Sequence, residues 1–299
     1  MTRLIDLLDN EHIKYTLDEP MSAHTTFKIG GNADLLITVD SVKELNCAIN
    51  ACKSNDIPYM ILGNGSNLLI SDKGIEGAVI TLDGEFKGVS IDDEVITAGA
   101  GAKLSKLCTV ALDCSLSGLE FAYGIPGTVG GAVYMNAGAY GGETKDVLTS
   151  VTALTQAGEV REYEAEELCM GYRTSVFKTN GDIILFAKYK LHKDDKQAIR
   201  ERMDDYMNRR KTKQPLEYPS AGSVFKRPEG AFAGTLIEQC GLKGKTVGGA
   251  QVSEKHAGFI INIGSATCDD VMDLIKLVQD TVKAQTGYTL EREIIRTGR

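Results

Sequence analysis

The stretch from Gly118 to Glu143, GLEFAYGIPGTVGGAVYMNAGAYGGE, limits this chain more than any other. Seven of the nineteen residues from Gly124 to Gly142 are glycine, and each loses backbone entropy in a regular element. The run therefore predicts tight turns rather than an ordinary helix or strand. The main chain must bend sharply there and approach something closely. Gly124, Gly127, Gly130 and Gly131 are expected to bare their N–H groups, with Pro126 stiffening the approach. Consecutive amides of this kind make a concave site for phosphate oxygens. A glycine-rich surface turn, or a strand bend packed on a neighbour, is the structural alternative.

Composition bounds the rest. A chain of 299 residues holds two or three domains with ample core. Hydrophobic content of 42% and charged content of 25% describe an ordinary soluble protein. The net charge of −8 argues against a broad nucleic-acid surface, though not against a small basic pocket. No apolar run reaches membrane-spanning length, and the first residues, MTRLIDLLDNEHIKY, contain no signal-peptide core. Seven cysteines form no CxxC pair, so a reduced, cytoplasmic protein with structural thiols is expected. Four scattered histidines suggest no metal site. The oligomeric state is open, a monomer being the simpler expectation.

Hydrophobic period and punctuation give the elements in order. Residues 2–12 read as a short amphipathic helix with Leu4, Leu7 and Leu8 on one face. His24–Gly31, HTTFKIGG, reads as a strand ending in a Gly-Gly turn. Ser41 caps a helix burying Val42, Leu45, Ile49 and Cys52. A buried strand, PYMIL, then runs into Gly63-Asn64-Gly65-Ser66-Asn67 and a second apolar run, Leu68 to Ile70. Read alone, that Asn-Gly turn favours a hairpin. Short strands fill 78–101, a helix 102–114, and further strands 147–155, 159–163 and 182–191. The last begins apolar on both faces and is expected to be central. A charged helix over 195–211 ends in Arg209, Arg210 and Lys211, a solvated face by default, with phosphate binding the alternative. Gln214-Pro215 and Tyr218-Pro219 mark a boundary. Beyond it come a short helix at 233–240, a strand at 258–263, a long helix capped by Thr267 and Asp270, and a final strand.

Two familiar nucleotide motifs fail. Gly99-Ala100-Gly101 begins like a dinucleotide fingerprint, but Leu104 replaces the third glycine. Gly244-Lys245-Thr246 ends like a phosphate loop, but Gln239 replaces its first glycine. What remains is two separate glycine turns, an arrangement suited to holding one pyrophosphate from two sides.

GNGSN at 63–67 followed by GIPGTVGGA at 124–132 resembles the FAD-binding domain of the vanillyl-alcohol-oxidase (PCMH) type flavoproteins. With HTTFKIGG, GYRTSVFK, AGSVFKRP, GLKGKTVGGAQVSEKHAGFIIN and LEREII in the same order, the chain resembles the MurB family of peptidoglycan precursor synthesis from about His24 to Ile295. That resemblance implies an α+β fold. Residues 1–212 would form a two-lobed FAD-binding domain, about 1–80 and 81–212, with the flavin between the lobes. Residues 213–299 would form an α/β substrate-binding domain closing over the flavin ring. It implies non-covalent FAD, NADPH as reductant, and reduction of the enolpyruvyl ether of UDP-N-acetylglucosamine to UDP-N-acetylmuramate. It assigns FAD contacts to Gly63, Asn64, Gly65, Ser66, Asn67, Gly124, Ile125, Pro126, Gly127, Thr128, Gly130, Gly131 and Ala132.

The chemistry agrees with those assignments. Hydride addition to an enolpyruvyl group develops an enolate, which needs a fixed cation and a nearby proton. Arg173 matches the family's enolate-stabilising arginine, Ser223 its proton donor and Glu293 its catalytic glutamate. Without the motifs, these would read as a surface ion pair, a turn serine and an exposed strand face. Tyr172, Lys226, Arg227, Lys243 and His256 are candidates for the substrate's carboxylate, diphosphate and sugar. The span from Arg173 to Ser223 is short, resembling family members that lack a substrate-closing loop tyrosine. Ile295 stands where some members carry an arginine, with Arg296 next, so no role passes to it. The rival readings are another flavin oxidoreductase acting on a sugar or alcohol, and a non-catalytic nucleotide-binding module.

Overall fold

A computed structural model describes all residues, Met1–Arg299. The chain divides into two compact units, each built from three separate segments. The first comprises Met1–Tyr15, Ile37–Asn64 and Val79–Arg210. The second comprises Thr16–Leu36, Gly65–Ala78 and Lys211–Arg299. The boundary passes within the strands Asn32–Val39 and Ile75–Leu82. These contact units differ from a simple cut near residue 212. The reason is hydrophobic: Phe27, Ile29 and Leu69 share one core with Val224, Ile260, Val271, Leu274 and Ile294.

In the first unit, helix Thr2–Asn10 buries Leu4 and Leu8, leaving Leu7 exposed. Ser41 accepts the Glu44 N–H at 3.3 Å and starts helix Val42–Ser54, whose buried face is Leu45, Ala48, Ile49, Ala51 and Cys52. A five-stranded antiparallel sheet follows the order Val160–Glu164, Leu148–Leu154, Ile183–Lys190, Val95–Gly99, Val89–Asp92. Ile183–Lys190 is its middle strand, as its doubly apolar start implies. Helix Leu104–Asp113 buries Leu104, Leu107, Cys108, Ala111 and Leu112.

The second unit carries an antiparallel sheet of order Ser220–Ser223, Phe259–Asn262, Ala250–Val252, Thr246–Val247. Helix Cys268–Thr286 starts at a capping box of Thr267 and Asp270 and stops at Gly287, as read from sequence. It buries Val271, Leu274, Ile275, Val278 and Val282, each worth about 1.5–3 kcal/mol of apolar burial.

Three local expectations are overturned. HTTFKIGG is not a strand: Met21–His24 is a 3₁₀ turn, and the strand begins at Asn32. Phe27 and Ile29 are buried as irregular chain, with Lys28 between them at φ 54°. Leu68–Ile70 pairs in parallel with Ile295–Thr297, so the preceding Asn-Gly turn is no hairpin. The glycine-rich stretch contains a seven-residue helix, Val129–Met135, capped by Thr128.

A charge cluster fixes helix Lys196–Lys213 in the first unit. The Arg202 guanidinium donates to Glu120 Oε1 at 2.8 Å and to Asp194 Oδ2 at 2.5 Å, while Ser117 Oγ donates to Glu120 at 2.8 Å. Burial pushes the Glu120 carboxyl up, but Arg202 and the surrounding donors hold it below its ordinary value. Glu120 therefore contributes stability above the unfolded carboxylate pKa and loses it as pH falls through the folded one. Arg202→Met should remove about 2 kcal/mol in urea unfolding, less than for a wholly enclosed pair, because the Arg202 side chain is 39% exposed. Adding Glu120→Gln should restore part of that loss; no recovery would show that the pair is not the source.

Candidate functional site

The two glycine turns meet in the first unit. A Cβ on Gly63 would lie 2.5 Å from Thr128 Oγ1, so only glycine allows this approach. Asn64 Nδ2 donates to the Pro126 carbonyl at 2.7 Å, bolting one turn to the other. Gly130 rests on the Gly99-Ala100-Gly101 segment: its N–H donates to the Ala100 carbonyl at 2.8 Å, and an added Cβ would lie 2.9 Å from the Ala100 Cβ. The motif that mimicked a dinucleotide fingerprint is thus a shelf for the real turn.

The expected row of bare amides is only partly present. Gly127 N–H donates to the Ile125 carbonyl and Gly131 N–H to Thr128 Oγ1, and Gly130 N–H is used as above. Gly130 serves a close approach to Ala100, and three of the four amides are already spent, two within the turn and one on Ala100. Beside them lies a cation missed as a site residue in the sequence. Arg210 donates to the Gly124 carbonyl, and its buried Nε has no hydrogen-bond partner. Burial pulls the Arg210 pKa down from its ordinary value. In the sequence, its place at the end of a charged helix favoured a solvated face over phosphate binding.

Tyr172 and Arg173 form the tip of a tight turn in the same unit. Gly171 and Thr174 exchange two backbone hydrogen bonds of 3.2 Å, and Arg173 is left-handed at φ 56°. A non-glycine residue there is strained and persists only where its surroundings over-determine it. The Arg173 guanidinium lies 5.2 Å from the centre of the half-exposed Tyr172 ring.

The remaining candidates lie in the second unit. The register shift between Ser220 and Ser223 kinks the edge of the sheet, leaving Ser223 exposed beside Phe259. Glu293 N–H donates to the Val224 carbonyl at 2.7 Å, and Phe225 bridges Arg292, so Glu293 is carried next to the Ser223 strand. Asn67 Nδ2 donates to the Glu293 carbonyl at 3.3 Å, while Ile295 N–H donates to the Asn67 carbonyl at 2.9 Å. Gly65, Ser66 and Asn67 thus belong to the unit that carries Ser223 and Glu293.

Lys226 pairs with Glu291 at 3.1 Å and Lys243 with Glu238 at 2.6 Å. Arg227 covers the exposed Phe232 ring at 4.0 Å. His256 Nδ1 accepts the Gly258 N–H at 3.1 Å, which a protonated ring nitrogen could not do. Burial pulls its pKa down as well, which favours the neutral imidazole.

Known proteins share this architecture. Residues 33–164 match the model of an FAD binding domain, and residues 214–297 that of the UDP-N-acetylenolpyruvoylglucosamine reductase C-terminal domain. The chain is 49% identical over 293 residues to the UDP-N-acetylenolpyruvoylglucosamine reductase of Syntrophomonas wolfei, covering 98% of this chain and 97% of the other. It is 53% identical over 278 residues to that of Alkaliphilus oremlandii, covering 93% and 91%. The chain belongs to the UDP-N-acetylenolpyruvoylglucosamine reductase family. The crystal structure of the Thermus caldophilus member, MurB, superposes with a TM-score of 0.81 at 39% identity, covering 95% of this chain and 98% of that one. The expected α+β fold, with an FAD-binding domain followed by a MurB C-terminal domain, is thereby established. FAD is the cofactor of this reductase family member. The first unit suits it: Gly63 and Thr128 leave no room for a side chain between the turns, and the Arg210 guanidinium beside them keeps one buried N–H, Nε, without a hydrogen-bond partner.

Gly63→Ala should separate the turns and weaken FAD binding at least roughly tenfold, read as flavin absorbance retained after gel filtration. Full retention would show that the approach of Gly63 to Thr128 is dispensable. For His256 the sign follows from its lowered pKa: its contribution to stability is complete above about pH 6.5 and falls as pH drops toward the folded value. The melting temperature of the wild type should therefore fall more steeply between pH 7 and 5 than that of His256→Gln.

Proposed function

We propose that this chain catalyses the NADPH-dependent reduction of UDP-N-acetylglucosamine enolpyruvate to UDP-N-acetylmuramate, a step of peptidoglycan precursor synthesis. The observation that carries this reading is the backbone pairing of Glu293 with Val224, the neighbour of the exposed Ser223. In this reading FAD is held by Gly63–Asn67 and Gly124–Ala132, within a part extending to about residue 212, with lobes of about 1–80 and 81–212. Residues 213–299 bind the substrate. Bound FAD would supply the hydride chemistry, with NADPH as its reductant.

The protein's own residues manage the charge and the proton. Arg173 faces the carboxylate-conjugated centre and stabilises negative charge as it develops; its guanidinium stays protonated and its fork matches a carboxylate. Glu293 shares this task. Ser223 Oγ–H delivers a proton to the carbon beside the one that receives hydride. Tyr172, Lys226, Arg227, Lys243 and His256 bind the carboxylate, diphosphate and sugar. Lys226 and Lys243 exchange their acidic partners for the ligand, and His256 donates from Nε2. The enzyme acts as a cytoplasmic monomer on small molecules, without nucleic acid or membrane. No helix is long and apolar enough to cross a membrane.

An anaerobic two-stage titration tests both the reaction and the donor. NADPH should bleach the flavin, and the enolpyruvyl sugar nucleotide should restore its colour. Ser223→Ala should leave the first stage within about threefold and slow the second by roughly a hundredfold or more. Failure of flavin reduction, with normal turnover of pre-reduced enzyme, would remove Ser223 from this role.

A further inference from the structure

Hydrogen bonds tie the Tyr172–Arg173 turn to the far end of the glycine-rich segment. Asn136 Nδ2 donates to the Gly171 carbonyl at 3.0 Å and to Glu143 Oε2 at 2.8 Å. Asn136 Oδ1 accepts the Lys145 N–H at 3.0 Å. Ser175 Oγ donates to the Tyr134 carbonyl at 2.8 Å, and Lys178 Nζ to the Arg173 carbonyl at 2.7 Å. Asn136 is 1% exposed and is itself left-handed, φ 43°, at the end of helix Val129–Met135. All of its amide's polar capacity except one lone pair is thus spent on holding other groups.

Two left-handed residues, Asn136 and Arg173, therefore sit at the two ends of one clamp. Glu143 adds charge to it. Its carboxyl is held below the ordinary value first by Lys145, against the effect of burial, then by Asn136 and by the charge of Arg173. Neither Asn136 nor Glu143 was assigned a role above, although both lie in the segment that begins with the FAD turn.

We infer that Asn136 and Glu143 are positioning residues for Arg173, fixing its turn from the same segment whose other end forms the glycine turn at Thr128–Gly131. The inference rests on the role proposed for Arg173. An arginine that stabilises charge present only in the transition state must be in place before that charge exists. A small displacement of its backbone should then slow the chemical step while leaving substrate binding much as it was. A merely structural asparagine would affect stability and both half-reactions alike.

The test uses the full-length FAD-loaded enzyme and follows each half-reaction by anaerobic stopped flow. Asn136→Ala should slow flavin reoxidation by the enolpyruvyl sugar nucleotide by roughly 10–100-fold, with flavin reduction by NADPH and the substrate KM each within about threefold. Asn136→Asp, which keeps the size but cannot donate to the Gly171 carbonyl, should show the same division. Glu143→Gln, which keeps an acceptor for Asn136 but removes the charge, should slow reoxidation by about tenfold. If Asn136→Ala loses flavin, the other two variants decide. Equal slowing of both half-reactions, or reoxidation at the wild-type rate in the flavin-loaded variants, overturns the assignment. A wild-type enzyme that the enolpyruvyl substrate fails to reoxidise overturns the proposed reaction itself, and this assignment with it.

Discussion

The first unit depends on the approach of Gly63 to Thr128. At 2.5 Å from Thr128 Oγ1 there is no room for a Cβ, and the contact sets the spacing of everything downstream. Thr128 begins the short helix Val129–Met135, Gly130 seats that helix on Ala100, and Asn136 ends it in a left-handed turn. Asn136 then reaches the Gly171 carbonyl. One continuous stretch of chain thus runs from the glycine turn to the Tyr172–Arg173 turn's hydrogen-bond partner.

The second unit pairs the chain just after Ser223 with the chain that carries Glu293. A register shift turns Ser223 outward, and the pairing of 224–226 with 291–293 brings Glu293 alongside. Asn67 then fixes the Glu293 backbone from its other side.

Much of this was legible in the sequence. The capped helix at 268–286, the middle strand Ile183–Lys190 and the two glycine turns were read from period and punctuation. The order of motifs carried the family. Other features were not legible because they depend on distant contacts. HTTFKIGG has strand-forming residues, yet Phe27 and Ile29 are buried as irregular chain in a core supplied by residues some two hundred positions later. GNGSN has a strong local hairpin signal, but Leu68–Ile70 finds its partner at Ile295–Thr297. Local propensity yields to tertiary context in both places. Arg210 looked like one more charge on a solvated helix; only its contact with the Gly124 carbonyl reveals otherwise. The glycine amides were misjudged for the opposite reason. Density of glycine shows that backbones come close, but not which N–H groups remain available afterwards.

The three-segment construction of the second unit bears on how the molecule is made. Phe27, Ile29 and Leu69 leave the ribosome long before Val271, Leu274 and Ile294, the side chains that will cover them. During synthesis these early apolar groups have no permanent shelter, and the nascent chain must wait for its last third. A truncation at the motif boundary near residue 212 would strand them for good. Phe27, Ile29 and Leu69 therefore gain lasting cover only when the C-terminal residues arrive.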